Sequence, residues 1–203
     1  MRGDARPPWN HNIHFHSLVL DAIPEGATSA LDIGTGNGLL ALELRTRLPR
    51  VVGLDVDAAV IADAAARSPA VEWLCADVMD HAFDERFDVV ASIATLHHFF
   101  DLRAALVRFR ELVAPGGALV IVGLANETTA GDHARGLLGV LQHQWYSRTR
   151  GYWEHSAPTV WPPPHSYAEV RAAATGILPG MRWRQHPLWR YSIEWRKSRE
   201  VPA

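Results

Sequence analysis

The sequence predicts an α/β fold in which a doubly wound, mostly parallel sheet is covered by helices and ends in an antiparallel β-hairpin. Three observations carry that expectation. From 29 to 124, short apolar runs alternate with segments whose apolar residues recur every three or four positions, the pattern of a parallel sheet wound by helices. The first apolar run enters a glycine-rich turn, Gly34-Thr-Gly-Asn-Gly38. Near the end the period becomes two: Trp189, Tyr191, Ile193 and Trp195 alternate with Arg190, Ser192, Glu194 and Arg196. That alternation predicts a strand with one buried aromatic face and one charged, solvated face.

The elements follow in order. Residues 12–23 read as a leading helix carrying Ile13, Leu18, Val19 and Ile23. The first strand covers 29–33, and the helix after the glycines covers 39–48, stopped by Pro49. A second strand at 51–54 precedes an alanine-rich helix at 58–67; strands at 71–75 and 87–93 follow. Leu102, Ala105, Leu106, Phe109, Leu112 and Val113 mark one helix face, ended by Pro115-Gly116-Gly117. The run 118–124 is apolar throughout, as a central strand buried on both faces should be. Ser166 and Glu169 have capping-box spacing for a helix starting near 167, and 181–186 is expected to pair with the terminal strand. The chain therefore reads as one domain, 1–203: an N-terminal cap (1–28), a ligand-binding core (29–124), a lid-like insertion (126–165) and a last helix with its hairpin (166–203).

Composition narrows the function. A length of 203 residues with 48% hydrophobic and 21% charged side chains suits one globular core. The single cysteine, Cys75, excludes an internal disulfide. No apolar run has the length of a membrane span, and the N-terminus lacks a signal core, so a cytoplasmic location is expected. The net charge of −2 divides into −7 for residues 1–100 and +5 for 101–203. That asymmetry is too mild for a nucleic-acid-binding signature.

The chemistry concentrates at successive strand ends. Glycines 34, 36 and 38 clear side chains where a backbone turns tightly and approaches a ligand. Their G-x-G-x-G spacing departs from the dinucleotide pattern G-x-G-x-x-G, whose third glycine would fall on Leu39. Asp55 ends the second strand, where a carboxylate can accept both hydroxyls of a ribose. Asp77 ends the third, where its carboxylate can accept from an adenine amino group while the Val78 N–H meets a ring nitrogen. A sheet of this kind binds ligands at the carboxyl ends of its strands.

LDIGTGNG, VVGLDVD, CADVMD, FDVVASIATLHHFFD and LVAPGGALVIV occur in that order over 29–124. Together they resemble the class I S-adenosylmethionine-dependent methyltransferases of the small-molecule, ubiquinone-biosynthesis-like type. The ending LWRYSIEWRK is similar to the terminal hairpin of a bacterial subgroup. The resemblance implies a Rossmann-like sheet and S-adenosyl-L-methionine as cofactor. It implies that Asp32 and the three glycines cradle the methionine part, that Asp55 and Val56 hold the ribose side, and that Asp77 with Val78 holds the adenine. Ala94 and Thr95 would line the methyl-donor side.

His97 and His98 follow the fourth strand, where the transferred methyl should sit. Histidine suits proton removal near neutral pH. His98 is expected to face the transfer site and His97 the leading segment near His14 or His16; His14 is the second candidate base. The i, i+2 spacing of His14 and His16 does not suit a helix-borne metal site, so no metal is expected. Trp145, Tyr146, Trp153 and Trp161 are expected to line an apolar substrate pocket. The acceptor is accordingly expected to be a small apolar or aromatic molecule, methylated on O, N or C. Two rival readings come from other features. The basic back half would suit an RNA methyltransferase, and the fold alone would suit a non-catalytic cofactor-binding protein.

Overall fold

The computed structural model describes residues 9–153 and 162–199. A 3₁₀ turn, Ile13–Phe15, leads into α1 (His16–Asp21), so the leading segment bends where one helix was expected. The remaining elements are β1 (Ser29–Ile33), α2 (Leu39–Arg45), β2 (Arg50–Asp55), α3 (Ala58–Arg67), β3 (Glu72–Cys75), β4 (Phe87–Ile93), α4 (Leu102–Leu112), β5 (Val113–Gly123), α5 (Ala130–Arg150), α6 (Tyr167–Ile177), β6 (Arg182–His186) and β7 (Arg190–Arg196).

The strands form one sheet ordered β3-β2-β1-β4-β5-β7-β6. β1 to β5 pair in parallel, while β7 runs antiparallel to β5 and to β6. The order reverses between β1 and β4, which opens a crevice above their C-terminal ends. Both faces of the sheet are buried. Leu31, Ile33, Leu119 and Ile121 join the core under α4 and α6. Ala30, Val89, Val120 and Val122 join Phe15, Val19 and the apolar side of α2. The period-two alternation thus sorts each central strand between two apolar layers.

Local chemistry explains the boundaries. The Asp57 side chain accepts from the N–H groups of Ala59 and Val60 and caps α3, and Asp101 caps α4 by accepting from Ala104 N. Reciprocal capping boxes start α5 (Thr129 with Asp132) and α6 (Ser166 with Glu169).

Two expectations need correction. β5 begins at Val113 and runs through Pro115-Gly116-Gly117, with a register irregularity opposite Phe87 and Val89. The Pro-Gly-Gly therefore bends the entry of a strand instead of forming a separate turn. The charged side of β7 is not solvated at its start: Arg190 and Ser192 are as buried as Tyr191 and Ile193. The cause is tertiary: the leading segment packs on that face, where Asn12 Oδ1 accepts from Arg190, and His186 of β6 hydrogen-bonds Ser192. The exposed arginines of the hairpin are Arg182 and Arg184 on edge strand β6 and Arg196 at the end of β7.

Candidate functional site

The glycine turn hangs on the end of β2. The N–H groups of Gly34 and Thr35 both donate to Leu54 O, at 2.8 and 2.9 Å. Gly34, Gly36 and Gly38 have φ of 70°, 54° and 79°, a region in which a side chain is disfavoured. A Cβ on Gly34 would stand 2.1 Å from Thr95 Oγ1, and one on Gly38 2.3 Å from the Trp73 ring. A Cβ on Gly36 would meet nothing within 4 Å. Two glycines therefore make room for the protein, while the third faces open space.

Asp32 lies under this turn, 2% exposed, and accepts from Thr35 Oγ1 at 2.7 Å. Burial raises its pKa to about 7, with Asp55 adding to the shift and the Thr35 hydrogen bond opposing it. Its contacts make it a clamp on the loop. Asp55 accepts from Gly36 N through Oδ2 (3.0 Å) and from Asp57 N through Oδ1 (3.1 Å). Beside it the Val56 side chain is 67% exposed, a large apolar group left open at the strand end. Asp77 is exposed and accepts from Met79 N at 2.8 Å, whereas the Val78 side chain is buried in the core.

The fourth strand ends abruptly. Ala94 has φ 55°, and the next residue, Thr95, turns its hydroxyl towards Ile93 O (3.1 Å) and Gly34 O (3.4 Å). A positive φ on a residue with a side chain is a strained arrangement of a kind that clusters at functional sites. Leu96–His98 then form a 3₁₀ turn in which the two histidine rings sit 4.2 Å apart. His97 is buried and its Nδ1 has no hydrogen-bond partner. Burial first, then the nearby His98 and Arg190, push its pKa down to about 4. His98 is exposed. The turn thus encloses His97 and opens His98 to solvent, and it is Arg190, at the start of β7, that neighbours His97.

A cluster of rings stands over the same end of β7. Trp9, 3% exposed, lies against Tyr146 (centroids 5.1 Å) and meets His14, His143 and Tyr152. Its Nε1 is buried without a partner. His14 is half-buried against Phe15 and Tyr146, and its pKa is lowered by burial and by Arg150. Trp153 N donates to Trp9 O at 2.9 Å, joining the leading segment to the end of α5. Arg190 is 6% exposed and donates from Nη2 to Asn12 Oδ1 at 2.9 Å. Before it, Leu188 and Trp189 take φ of 62° and 57°, a further strained pair of bulky residues. A small cleft with walls that include Glu127, Asp132, Tyr167, Gln185 and Trp189 lies nearby, with room for little more than a water molecule.

Most of the expected residues converge, but not all. The glycines, Asp32, Asp55, Ala94 and Thr95 meet at one sheet edge. Tyr146 joins the ring cluster, and Trp153 reaches it through its backbone. Trp145 is 67% exposed on α5, because adjacent helix positions point about 100° apart; it does not share the cluster with Tyr146. Trp161 lies outside the described residues. Sequence reasoning named the leading segment that carries Trp9 as a source of pocket side chains but missed Asn12, Tyr152, Tyr167 and Arg190. No sequence signal set Arg190 apart, because it shares its alternate positions with Ser192, Glu194 and Arg196 and the period of two assigned all four to solvent. Among the described residues no cluster of metal-ligating side chains is present, and no helix is long and apolar enough to cross a membrane.

Residues 31–121 match the family model described as a methyltransferase domain. An uncharacterized methyltransferase of Mycobacterium tuberculosis is 39% identical over 199 residues, covering 93% of this chain and 97% of the relative. Among solved structures, the N-methyltransferase NodS of Bradyrhizobium japonicum, in complex with S-adenosyl-L-homocysteine, superposes with a TM-score of 0.61 at 19% identity. That match covers 97% of this chain and 90% of NodS. The amino pentose methyltransferase CalS10 of Micromonospora echinaspora gives 0.65 at 19% identity, covering 97% and 94%. The structural likenesses establish a shared fold.

Proposed function

The chain belongs to the class I S-adenosylmethionine-dependent methyltransferases, and on that premise we propose that it methylates an O, N or C nucleophile of a small-molecule acceptor held under the ring cluster. The observation that carries this reading is the ring cluster at the start of β7, on the same C-terminal sheet edge as the glycine turn. Trp9, His14, Tyr146 and Tyr152 gather there, an aromatic lining suited to a small molecule with apolar surface.

Three features of the chain fit the cofactor. The space beside Gly36 is open, the exposed Val56 offers an apolar surface at the β2 end, and both Asp55 oxygens keep further acceptor capacity beyond their single N–H partners. In this reading Asp55 accepts the ribose hydroxyls, and Asp77 with the Val78 N–H holds the adenine edge. Asp32 fixes the glycine loop, while Gly34, Gly36 and Gly38 let its backbone approach the methionine part. Ala94 and Thr95 border the donor side. When bound, the cofactor supplies a methyl group already activated on a sulfonium sulfur. The chain's own contribution is then positioning, exclusion of water by the rings, and acceptance of a proton where the acceptor must lose one. His98 and His14 are the proposed bases. His97, with a pKa near 4, binds a proton too weakly for efficient general-base work at neutral pH.

The basic back half gives little support to an RNA acceptor. Arg182 pairs with Glu194, Arg196 donates to Ala22 O, and Lys197 Nζ donates to Val113 O. These cations serve internal contacts. Incubation with methyl-labelled cofactor and a host metabolite extract, followed by mass spectrometry, tests the proposal. Label in a low-molecular-weight product is expected; label confined to RNA would overturn it.

A further inference from the structure

Arg190 is the one arginine or lysine among the buried described residues, 6% exposed. Its protein partners are two neutral oxygens: Asn12 Oδ1 at 2.9 Å and Leu188 O at 3.4 Å. No carboxylate pairs with it among the described residues, and its Nε is buried with no hydrogen-bond partner. Glu127 pairs with His133, and Asp132 accepts from Thr128 N, Thr129 N and Gln185 Nε2. A guanidinium removed from water without an opposite charge is costly, and natural proteins rarely keep one buried unless something pairs with it. The structural alternative is an arginine that pins the strained Leu188–Trp189 turn to the leading segment, yet two neutral acceptors do not need a full charge.

What surrounds Arg190 suggests its partner. Asn12 comes from the leading segment, and His97, with its own orphaned Nδ1, follows the fourth strand. Tyr152 and Tyr167 contribute hydroxyls nearby. We propose that Arg190 is the seat for a carboxylate carried by the acceptor, taken on its free Nε edge, with Asn12 fixing the guanidinium. The acceptor is then an organic acid whose apolar body lies among the rings and whose carboxylate is its handle. A carboxylate suits the Nε edge because its two oxygens can meet Nε–H and a remaining terminal N–H in parallel. Burial lowers the Arg190 pKa to about 10, which leaves the group fully cationic at neutral pH and able to bind an anion. This inference rests on the small-molecule reading above and adds the chemical class of that molecule.

The test uses the full chain saturated with S-adenosylhomocysteine and titrates benzoate against benzamide, two probes of similar shape that differ in charge. The readout is the Arg190 side-chain Nε–H in nitrogen-correlated NMR, assigned by its loss in Arg190→Met. Benzoate is expected to move that signal with affinity in the millimolar range and benzamide at least ~10-fold more weakly. Arg190→Met should bind both alike, keep its affinity for S-adenosylhomocysteine, and melt no lower than the wild type. Asn12→Ala keeps the guanidinium and should weaken benzoate several-fold. An Nε–H unmoved by tens of millimolar benzoate, equal binding of the two probes, or a sharp fall in the melting temperature of Arg190→Met would overturn the proposal in favour of a structural arginine. The labelled-extract experiment separates the two readings. A small-molecule product without an acidic group overturns the carboxylate seat alone, whereas label confined to RNA overturns the small-molecule reading beneath it.

Discussion

Gly34 and Gly36 are two residues apart and are glycine for different reasons. At Gly34 the protein itself fills the space, since an added methyl would collide with Thr95. At Gly36 the space is open and only the positive φ argues against a side chain. Gly36→Ala should therefore fold, at a cost near ~1 kcal/mol for the left-handed backbone, and yet bind S-adenosylmethionine at least ~10-fold more weakly. Gly34→Ala should lose more stability because Thr95 must move. Calorimetry and thermal melts on the pair decide it: wild-type affinity in Gly36→Ala would mean that the open space is not the cofactor's. The two histidines after β4 divide in the same way. If His98 takes a proton, His98→Ala should lower kcat by roughly 10²–10⁴ with cofactor affinity little changed. Unchanged kcat alongside weakened cofactor binding would make it a binding residue instead.

α5 differs from the helices around it. Over Ala130–Arg150 its buried residues are Asp132, Gly136 and Gly139, whereas the shorter α4 buries five apolar side chains. Gly139 passes close to the backbone of Leu188, where an added Cβ would be 3.0 Å from the amide nitrogen, while Leu137, Leu141 and Trp145 on α5 remain exposed. A helix held by so little apolar burial opens more readily than its neighbours. Amide exchange in α5 should therefore be faster than in α4 and should slow when S-adenosylhomocysteine binds; equal protection of the two helices would remove the basis for treating α5 as a cover. The elements were legible from sequence to the extent that they are local. Strands 29–33 and 87–93 and the helix 58–67 match β1, β4 and α3 to the residue, because buried apolar runs and an aspartate cap mark their ends. The Gly-Asp edge of the site was legible for the same reason. The proposed acceptor side was legible only in part, because Trp9, Asn12, Tyr152 and Arg190 meet only through tertiary packing. A period of two records the face a side chain occupies, but not which distant segment packs on that face. Arg190 was assigned to solvent on that ground and is buried where the leading segment, through Asn12, meets β7.

At the scale of the whole molecule, the site places buried groups of opposite titration behaviour in one fold, and their balance sets how stability responds to acid. Burial lowers the pKa values of His14, His16, His97 and His186, His97 to about 4. Each is held neutral in the native state and gains a proton more easily when unfolded, so its contribution is present above about pH 6.5 and is lost as pH falls. Asp32 acts in the opposite direction. Its folded pKa of about 7 lies above the unfolded value near 4, so between those limits the native state binds the extra proton. Acidification through that window therefore favours folding at Asp32 while it opposes folding at the histidines. Four histidines against one carboxyl predict that the wild-type chain loses stability as pH falls from about 6.5 to 4, with part of the loss offset. Asp32→Asn removes the offset and should make the loss steeper over the same range. His97→Gln removes the largest single histidine contribution and should make it shallower. Denaturant midpoints at closely spaced pH values measure all three chains, with the slope kept in view so that a change in denatured-state compactness is not read as stability. If Asn at position 32 left the slope unchanged, Asp32 would be ionised in the folded protein at all these pH values, and the clamp beneath the glycine turn would be a carboxylate throughout.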